Sequence, residues 1–229
     1  MTTGPLPAFD RWLVVALGVA SAVLAAPLLS VAYVPFLDLP QHVGAVAILS
    51  GGDPSWRLHD YYDIDLLGSP YILPYLLAAG LAKLFGAVVA VKLMFALAAA
   101  SLPWSLAYAA RQFGRDPRIA LLAAPVAYGT FAFMGFLNFV LSLPLWLAWL
   151  GWWRGAVDRP DFGLRQYVIG AGFSIAIFYG HVMTLGYAAG CCGVIALLAA
   201  GPVGDGTQGP SEARRVVQRV QRRTHVRAV

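Results

Sequence analysis

The sequence predicts an all-α fold, a polytopic transmembrane helical bundle. Hydrophobic residues make up 59% of the 229 residues and charged residues only 12%, whereas soluble proteins average roughly half apolar and a quarter charged. Apolar runs long enough for a helix to cross a hydrocarbon core of about 30 Å recur along the chain. None of these runs alternates between apolar and polar residues as a half-buried strand does. Helices are therefore expected throughout, because a helix satisfies its own backbone hydrogen bonds within lipid.

Six full spans and one marginal seventh segment are predicted. Residues 12–34 form the first span, because this run is longer than the core of a cleavable signal peptide, which has about 7–15 residues. Residues 70–86 are the marginal segment. The run is short and contains Pro70 and Pro74, so we expect it to dip into the membrane and return. The other spans are residues 87–110, 119–133 and 137–153, and two helices within residues 166–201 that fold back at Gly180.

Two regions differ in composition. Residues 1–201 form the transmembrane domain, and residues 202–229 form a basic C-terminal tail rich in arginine. Each basic residue near an anionic membrane surface contributes about 1 kcal/mol of attraction, so the tail is expected to rest on anionic lipid. Cys191 and Cys192 are adjacent in an apolar run, which excludes a disulfide framework. Membrane lipids, and not nucleic acid, are the predicted partners.

An acidic loop, residues 35–69, is the only long polar connection between the apolar runs. It holds five of the eleven acidic residues of the chain, together with two histidines and one arginine. Pro40 suits the first turn of a helix, where its missing N–H is not needed, and Val43, Val46 and Leu49 share one face. Residues 40–50 are therefore expected to form an amphipathic helix lying on the membrane surface.

Basic residues orient the bundle. With six full spans and the N-terminus in the cytoplasm, every basic residue except Arg57, Lys83 and Lys92 lies on the cytoplasmic side, as the positive-inside rule requires. The acidic loop is then extracytoplasmic, and the protein is multi-pass in the plasma or inner membrane. The preference for arginine over lysine suggests a bacterial genome rich in GC. An inverted arrangement with seven spans satisfies the rule equally well, but it places the acidic loop in the cytoplasm.

Asp38 and His42 are the candidate catalytic residues. They lie four positions apart across a predicted helix start. This spacing lets both side chains share a proton or a divalent cation such as Mg²⁺ or Mn²⁺, with Asp38 as the metal ligand. The alternative interpretation is that Asp38 only complements the positive end of the helix dipole.

Five further residues are candidate substrate-binding groups: Arg57, His59, Asp60, Asn138 and His181. The histidine and the aspartates of the acidic loop suit a sugar or a hard cation, although the same residue types also form solvated acidic surfaces. Asn138 stands at the start of a membrane helix, where its amide binds either a ligand or a neighbouring helix. His181 lies where the last two helices turn. An ionisable residue at membrane depth indicates a functional site, unless the turn lies at the interface.

The order of these elements resembles the N-terminal module of GT-C type glycosyltransferases, which are polytopic enzymes that use polyprenyl-phosphate sugar donors. The similarity covers residues 12 to about 200: a first span, an acidic residue, a surface helix, an aromatic-rich loop, a proline-led apolar segment ending LAKLFG and a basic turn. The resemblance implies that Asp38, in the sequence DLPQH, is the catalytic base or metal ligand. It also implies that the sequence SPY, beginning at Ser69, lines the site. Members are usually longer, so a truncated module is one interpretation.

Two classes of function are therefore predicted. The first is a membrane glycosyltransferase in which Asp38 deprotonates an acceptor hydroxyl or holds a metal ion. The second is a non-catalytic multi-pass membrane subunit or a small transporter. Transporters commonly contain inverted repeats, and no internal repeat is found in this sequence.

Cysteine labelling tests the predicted orientation. Cys191 and Cys192 are first replaced by alanine, and this variant is the control. A single cysteine placed at Ser55, in the acidic loop, should then react with an impermeant thiol reagent added to intact cells. A single cysteine placed at Gln112, in an arginine-rich turn, should react only after the membrane is opened. The reverse pattern would move the acidic loop into the cytoplasm.

Overall fold

A computed structural model describes residues 9–52, 57, 60–66, 68–157 and 163–200 of the chain, with side chains as far as Val194. The described residues contain no strand, so the prediction of an all-α fold is confirmed. The chain divides into two compact units, Met1–Leu185 and Gly186–Val229. In the second unit Cys191 and Cys192 are free thiols. The basic tail lies outside the described residues.

Helices of very different length follow one another along the chain. In order they are α1 (Arg11–Ser30), α2 (Leu39–Leu49), α3 (Ile72–Phe85), α4 (Ala87–Gln112), a 3-10 helix (Pro117–Leu122), α5 (Ala124–Ala127), α6 (Thr130–Phe133), α7 (Leu137–Val157), α8 (Leu164–Gly180) and α9 (Val182–Ala200). Within the described part of the chain, α1 and α4 are long and apolar enough to cross a membrane. The helix is interrupted between α8 and α9, so the break predicted near Gly180 is confirmed.

One predicted span is wrong. Residues 119–133 do not form a continuous helix, because the 3-10 helix is followed by two helices of four residues each. Pro125 lacks the backbone N–H that a continuing helix would need. Gly129 takes an extended conformation, with φ −71° and ψ 177°, before α6 begins. The chain therefore reaches α7 through a series of turns, and these turns lie beside the start of α2.

The helix predicted for residues 40–50 is present as α2, but it packs against protein. Its buried residues Leu39, His42 and Val46 lie three or four positions apart and so share one face. This face contacts α3 and α4. Of the apolar residues for which the sequence predicts contact with the membrane surface, Val46 is buried in the bundle, and Val43 and Leu49 are half-buried. The helix ends, as predicted, before Gly51 and Gly52, which both have positive φ.

Small side chains pack α4 at the centre of the first unit. This helix contacts α1, α3 and α7, and its buried positions include Ala90, Ala98 and Ala107. Alanine lets helix backbones approach closely, which is how helices associate where lipid removes the hydrophobic driving force. Phe95 is 2% exposed and packs edge-on against Phe36, with 4.9 Å between ring centroids. The residues before α2 are thereby joined to α4.

Two charged side chains satisfy the ends of α1. Asp10 caps its N-terminus by accepting a hydrogen bond from the backbone N–H of Leu13 at 2.7 Å, and it pairs with Arg118 at 3.3 Å. The backbone hydrogen bond and the nearby guanidinium hold the pKa of Asp10 below its ordinary value. Near the other end, the ammonium of buried Lys92 donates to the carbonyl of Val31, where the helix dipole favours a cation.

The start of α2 is held by the turn before α7. The backbone N–H of Leu37 donates to the carbonyl of Phe133 at 3.1 Å, and that of Asp38 donates to the carbonyl of Met134 at 3.2 Å. Gly135 follows with φ 82°. A Cβ atom at this glycine would lie 2.7 Å from the backbone nitrogen of Asp38. Only glycine fits at this position, because any side chain would meet both a left-handed backbone and a steric clash.

Gly135→Ala should therefore destabilise the protein. The left-handed conformation alone costs roughly 1–2 kcal/mol for a residue with a Cβ atom, and the clash with Asp38 adds to that cost. Thermal unfolding of the purified protein in detergent measures the change. Gly44→Ala is the matched control, because Gly44 lies in α2, where a Cβ atom would have nothing within 4 Å, and alanine favours helix. Equal melting temperatures for the two variants would contradict this account of the turn.

Candidate functional site

A cavity of about 170 Å³ opens where α2, α3, α7 and the turn between α8 and α9 converge. It is smaller than the roughly 300–1,000 Å³ of pockets for drug-sized ligands, so only a small group fits inside it. Its lining combines polar side chains with aromatic rings. The lining residues are Asp38, Gln41, His42, Tyr71, Phe136, Leu137, Asn138, Phe139 and His181. The structure therefore brings together four of the seven residues singled out from the sequence: Asp38, His42, Asn138 and His181.

Asp38 is the residue that precedes α2 and is half-buried in the cavity wall. Its backbone N–H is fixed by the carbonyl of Met134, but its side chain makes no capping hydrogen bond to α2. No described residue donates a hydrogen bond to its carboxylate. A carboxylate at a helix start still gains from the helix dipole, so both interpretations of Asp38 remain compatible with its position. The carboxylate is free to accept a proton or bind a cation.

His42 does not have a nitrogen available for a ligand. Its Nε2 atom lies 2.6 Å from the carbonyl oxygen of Gly135, and its Nδ1 atom lies 2.8 Å from the hydroxyl of Tyr75. A carbonyl only accepts, so Nε2 carries a proton, and in the neutral ring Nδ1 accepts from Tyr75. The predicted role of His42 as a partner of Asp38 in holding a proton or a metal is corrected: the side chain ties α2 to the turn at Gly135 and to α3.

Asn138 combines a structural contact with an unpartnered oxygen. Its side chain is 9% exposed, and its Nδ2 group donates to the backbone carbonyl of Tyr71 at 3.1 Å. Asn138 therefore binds a neighbouring segment of the chain, the residue that precedes α3, as one of the two predicted roles of this amide requires. Because the carbonyl of Tyr71 can only accept, the amide orientation is fixed, and Oδ1 is the atom that has no partner among the described residues. A buried acceptor left unpaired costs about 1–3 kcal/mol, so a donor on a ligand or water has a reason to bind it.

His181 lies in the turn between α8 and α9. Its ring is flanked by the rings of Tyr71 and Phe139, with centroid distances of 5.2 and 5.3 Å. The Nδ1 atom lies 3.2 Å from the hydroxyl of Thr184. Burial lowers the pKa of His181 below its ordinary value, because the charged ring loses hydration. Burial therefore favours the neutral ring, which can act as a hydrogen-bond acceptor.

The other predicted substrate-binding residues do not reach this cavity. Arg57 and Asp60 form an ion pair with each other at 2.5 Å, and the Arg57 side chain is 72% exposed. Neither residue lines the cavity, so their assignment to the same binding site as Asp38 is corrected. The third, His59, lies outside the described residues.

Sequence analysis alone missed three residues that fix the polar side chains of the site. Tyr75 donates to His42, and Ser142 and Thr184 are fully buried hydroxyls that contact each other at 2.6 Å. Each is a polar side chain inside an apolar run, and this unusual position could have marked it as a candidate. Its hydrogen-bond partner could not be predicted, because the sequence does not show which helices become neighbours.

The donor set allows a hydrated hard cation but does not enclose one. Among the described residues, no group of three His, Cys, Asp or Glu side chains could hold a metal ion. Mg²⁺ commonly takes one or two carboxylates, several waters and the phosphates of a substrate. The carboxylate of Asp38 and Oδ1 of Asn138 fit that pattern by donor chemistry, provided that a phosphate ligand supplies further oxygens.

The buried imidazole of His42 predicts a dependence of stability on pH. Burial lowers the pKa of His42, an effect only partly opposed by its hydrogen bond to Gly135 and by nearby Asp38. The unfolded chain therefore binds a proton at higher pH than the folded chain. The contribution of the neutral ring is complete above the unfolded pKa of about 6.5 and is lost as the pH falls toward the folded pKa.

We expect the melting temperature to fall on acidification from about pH 7 to pH 5, and to fall less in His42→Gln. Thermal unfolding in detergent across this range is the measurement. His225→Gln, in the basic tail, is the control and should keep the wild-type slope. An unchanged slope in His42→Gln would contradict the role of burial at this ring.

Comparison with known proteins gives no relative of this chain: no protein-family model, no curated protein and no solved structure matches it. Functional conclusions therefore depend on the chemistry of the cavity.

Proposed function

We propose that the protein is a multi-pass membrane glycosyltransferase of GT-C type, or a module of one, which moves a sugar from a polyprenyl-phosphate donor to an acceptor hydroxyl. One observation carries the proposal. The carboxylate of Asp38, to which no described residue donates, and Oδ1 of Asn138, which has no partner among the described residues, belong to two residues that line a single small cavity. Both are hydrogen-bond acceptors, so the complementary ligand is one that offers several donors, as a sugar does.

The apolar part of the cavity supports the same ligand class. Phe136, Phe139 and Tyr71 supply aromatic rings beside the polar side chains. A sugar ring has hydroxyls at its edge and C–H groups on its faces, so acceptors together with aromatic surfaces complement it. A free inorganic cation would leave these rings without a role.

Asp38 is the proposed base of the transfer. As the acceptor oxygen bonds to the anomeric carbon of the sugar, its proton passes to the Asp38 carboxylate. The bond from the anomeric carbon to the phosphate oxygen breaks, and polyprenyl phosphate leaves with the electron pair. If Mg²⁺ or Mn²⁺ is bound at Asp38, it supplies charge stabilisation for the phosphate. Asn138 orients a sugar hydroxyl through Oδ1.

The placement of the cavity agrees with a lipid-linked donor. Asp38 lies eight residues after the end of α1, in the connection that follows the first proposed membrane span, which supports a position near the membrane surface. In addition to α1 and α4, the apolar helix α7 has 21 residues and reaches about 31 Å at 1.5 Å per residue. These three helices support a multi-pass arrangement. The arginine distribution supports an extracytoplasmic acidic loop.

A small transporter is the second candidate. Transporters bind substrate where apolar helices are broken, and the chain breaks at His181 beside the cavity. The two functions differ in their product, because a transporter leaves its substrate chemically unchanged. A non-catalytic membrane subunit would change neither the position nor the bonds of the sugar.

Asp38→Asn tests the transferase. The substitution keeps the side-chain shape and removes the charge and the basicity, and loss of a positioned acid–base group typically lowers the rate about 10²–10⁴-fold. Transfer from labelled polyprenyl-phosphate sugars, with and without Mg²⁺ or Mn²⁺, and thermal stability are measured on the same preparation.

Asp63→Asn is the matched control, since Asp63 lies in the acidic loop but does not line the cavity. If Asp38 only complements the helix dipole, its substitution should cost less than about 1 kcal/mol of stability and leave transfer intact. Near-normal transfer by Asp38→Asn would end the catalytic assignment.

A further inference from the structure

A chain of hydrogen bonds runs from α7 to the ring of His181. The hydroxyl of Ser142 lies 2.6 Å from the backbone carbonyl of Phe139 and 2.6 Å from the hydroxyl of Thr184. The same Thr184 oxygen lies 3.2 Å from Nδ1 of His181. Ser142 and Thr184 are both fully buried. A single hydrogen bond would be enough to join α7 to α9, whereas this chain contains three.

The direction of every hydrogen bond in this chain follows from its first member. The carbonyl of Phe139 can only accept, so the single hydroxyl proton of Ser142 points to it. The oxygen of Ser142 must then accept from the hydroxyl of Thr184. Thr184 has no further proton to give, so its oxygen accepts from His181. The proton on the neutral ring of His181 is therefore on Nδ1, and Nε2 has a lone pair.

This tautomer is the opposite of the one at His42. There the carbonyl of Gly135 requires a proton on Nε2, whereas at His181 the chain from Phe139 requires it on Nδ1. The other titratable or charged side chains that line the cavity with His181 are Asp38, His42 and Tyr71. Neither nitrogen of His42 is free, so Nε2 of His181 is the imidazole nitrogen left to meet a ligand in this cavity.

We propose that the Phe139–Ser142–Thr184 chain fixes His181 with its proton on Nδ1, so that Nε2 accepts a hydrogen bond from a hydroxyl of the bound sugar. Thr184 and Ser142 are positioning residues, and His181 is a binding residue for the ligand. The tautomer stands independently of the transferase, while the identity of the ligand rests on the proposed function. Nε2 thereby adds a third acceptor to those of Asp38 and Asn138, two residues that line the same cavity.

Nitrogen NMR of protein labelled with ¹⁵N-histidine tests the tautomer. The chain has four histidines, and His181→Gln and His42→Gln identify the two signals of interest by their disappearance. At a pH where the rings are neutral, His181 should show a protonated Nδ1 and an unprotonated Nε2, and His42 the reverse. Free neutral histidine in water favours the proton on Nε2. Detection of Nε2–H on His181 in the wild-type protein would overturn the proposal without any variant having to fold.

Variants of Thr184 test whether the chain is the cause. Thr184→Val removes the hydroxyl at nearly constant volume, so the His181 ring should shift toward a mixture of tautomers. Thr184→Ser restores the hydroxyl and should restore the wild-type spectrum. Ser142→Ala leaves Thr184 free to donate to His181 and should also disturb the tautomer. A wild-type spectrum in Thr184→Val would show that the chain does not control the ring.

Addition of polyprenyl-phosphate sugars to the labelled protein tests the contact with a ligand. A hydrogen bond to the lone pair should shift the Nε2 signal of His181, and the shift should saturate with added donor. Loss of this bond in His181→Phe should raise KM about 2- to 10-fold, the size expected for one neutral hydrogen bond.

The outcomes separate the two proposals. Sugar transfer without a shift at Nε2 would overturn the inference about His181 and leave the proposed function standing. A saturable shift without transfer would overturn the transferase and leave the binding role of His181 in place. Absence of both would reject both.

Discussion

The contact between Gly135 and Asp38 is the constraint on which the candidate site depends. Two backbone hydrogen bonds join residues 37 and 38 to residues 133 and 134, and the absence of a Cβ atom at Gly135 lets the two segments meet. The carbonyl of the same glycine then receives Nε2–H of His42. One turn therefore sets the position of Asp38 at the start of α2 and brings it beside α7, which carries Asn138. The carboxylate and the amide reach one cavity because two backbones touch.

Three buried polar side chains of this apolar bundle are satisfied by backbone carbonyls in irregular segments. The carbonyls of Gly135, Tyr71 and Val31 accept from His42, Asn138 and Lys92 respectively. Each carbonyl belongs to a turn or a helix end, where intrahelical hydrogen bonds stop. The interruptions in the helices are thus the places where a polar side chain can be buried and still form a hydrogen bond. Oδ1 of Asn138, a residue that lines the cavity, has no hydrogen-bond donor among the described residues.

The sequence predicted the class of fold and much of the site, but not its geometry. Hydropathy and turn residues located α1, α2 and α4 and the break before α9, because these depend on local composition. Asp38, Asn138 and His181 were identified from position and residue type, and they converge. The segment from Pro117 to Phe133 was misjudged, because its apolar composition hides how Pro125 and Gly129 divide it. The pairing of Arg57 with Asp60, and the engagement of both nitrogens of His42, depend on contacts that no local pattern encodes.

The two histidines show how the same side chain acquires different roles from the backbone around it. Burial lowers the pKa of both rings, and a neutral ring has one donating and one accepting nitrogen. At His42 a carbonyl and a tyrosine hydroxyl occupy both nitrogens, and the ring serves only to join segments. At His181 the hydroxyls of Ser142 and Thr184 connect Nδ1 to the backbone carbonyl of Phe139. Nε2 of His181 has no part in this chain. A carbonyl at the end of a hydrogen-bond chain can only accept, so it sets which group donates and which accepts at every step of the chain. Spacing in the sequence gives Asp38 and His42 as partners, whereas the direction of these hydrogen bonds favours His181 as the imidazole that works with Asp38.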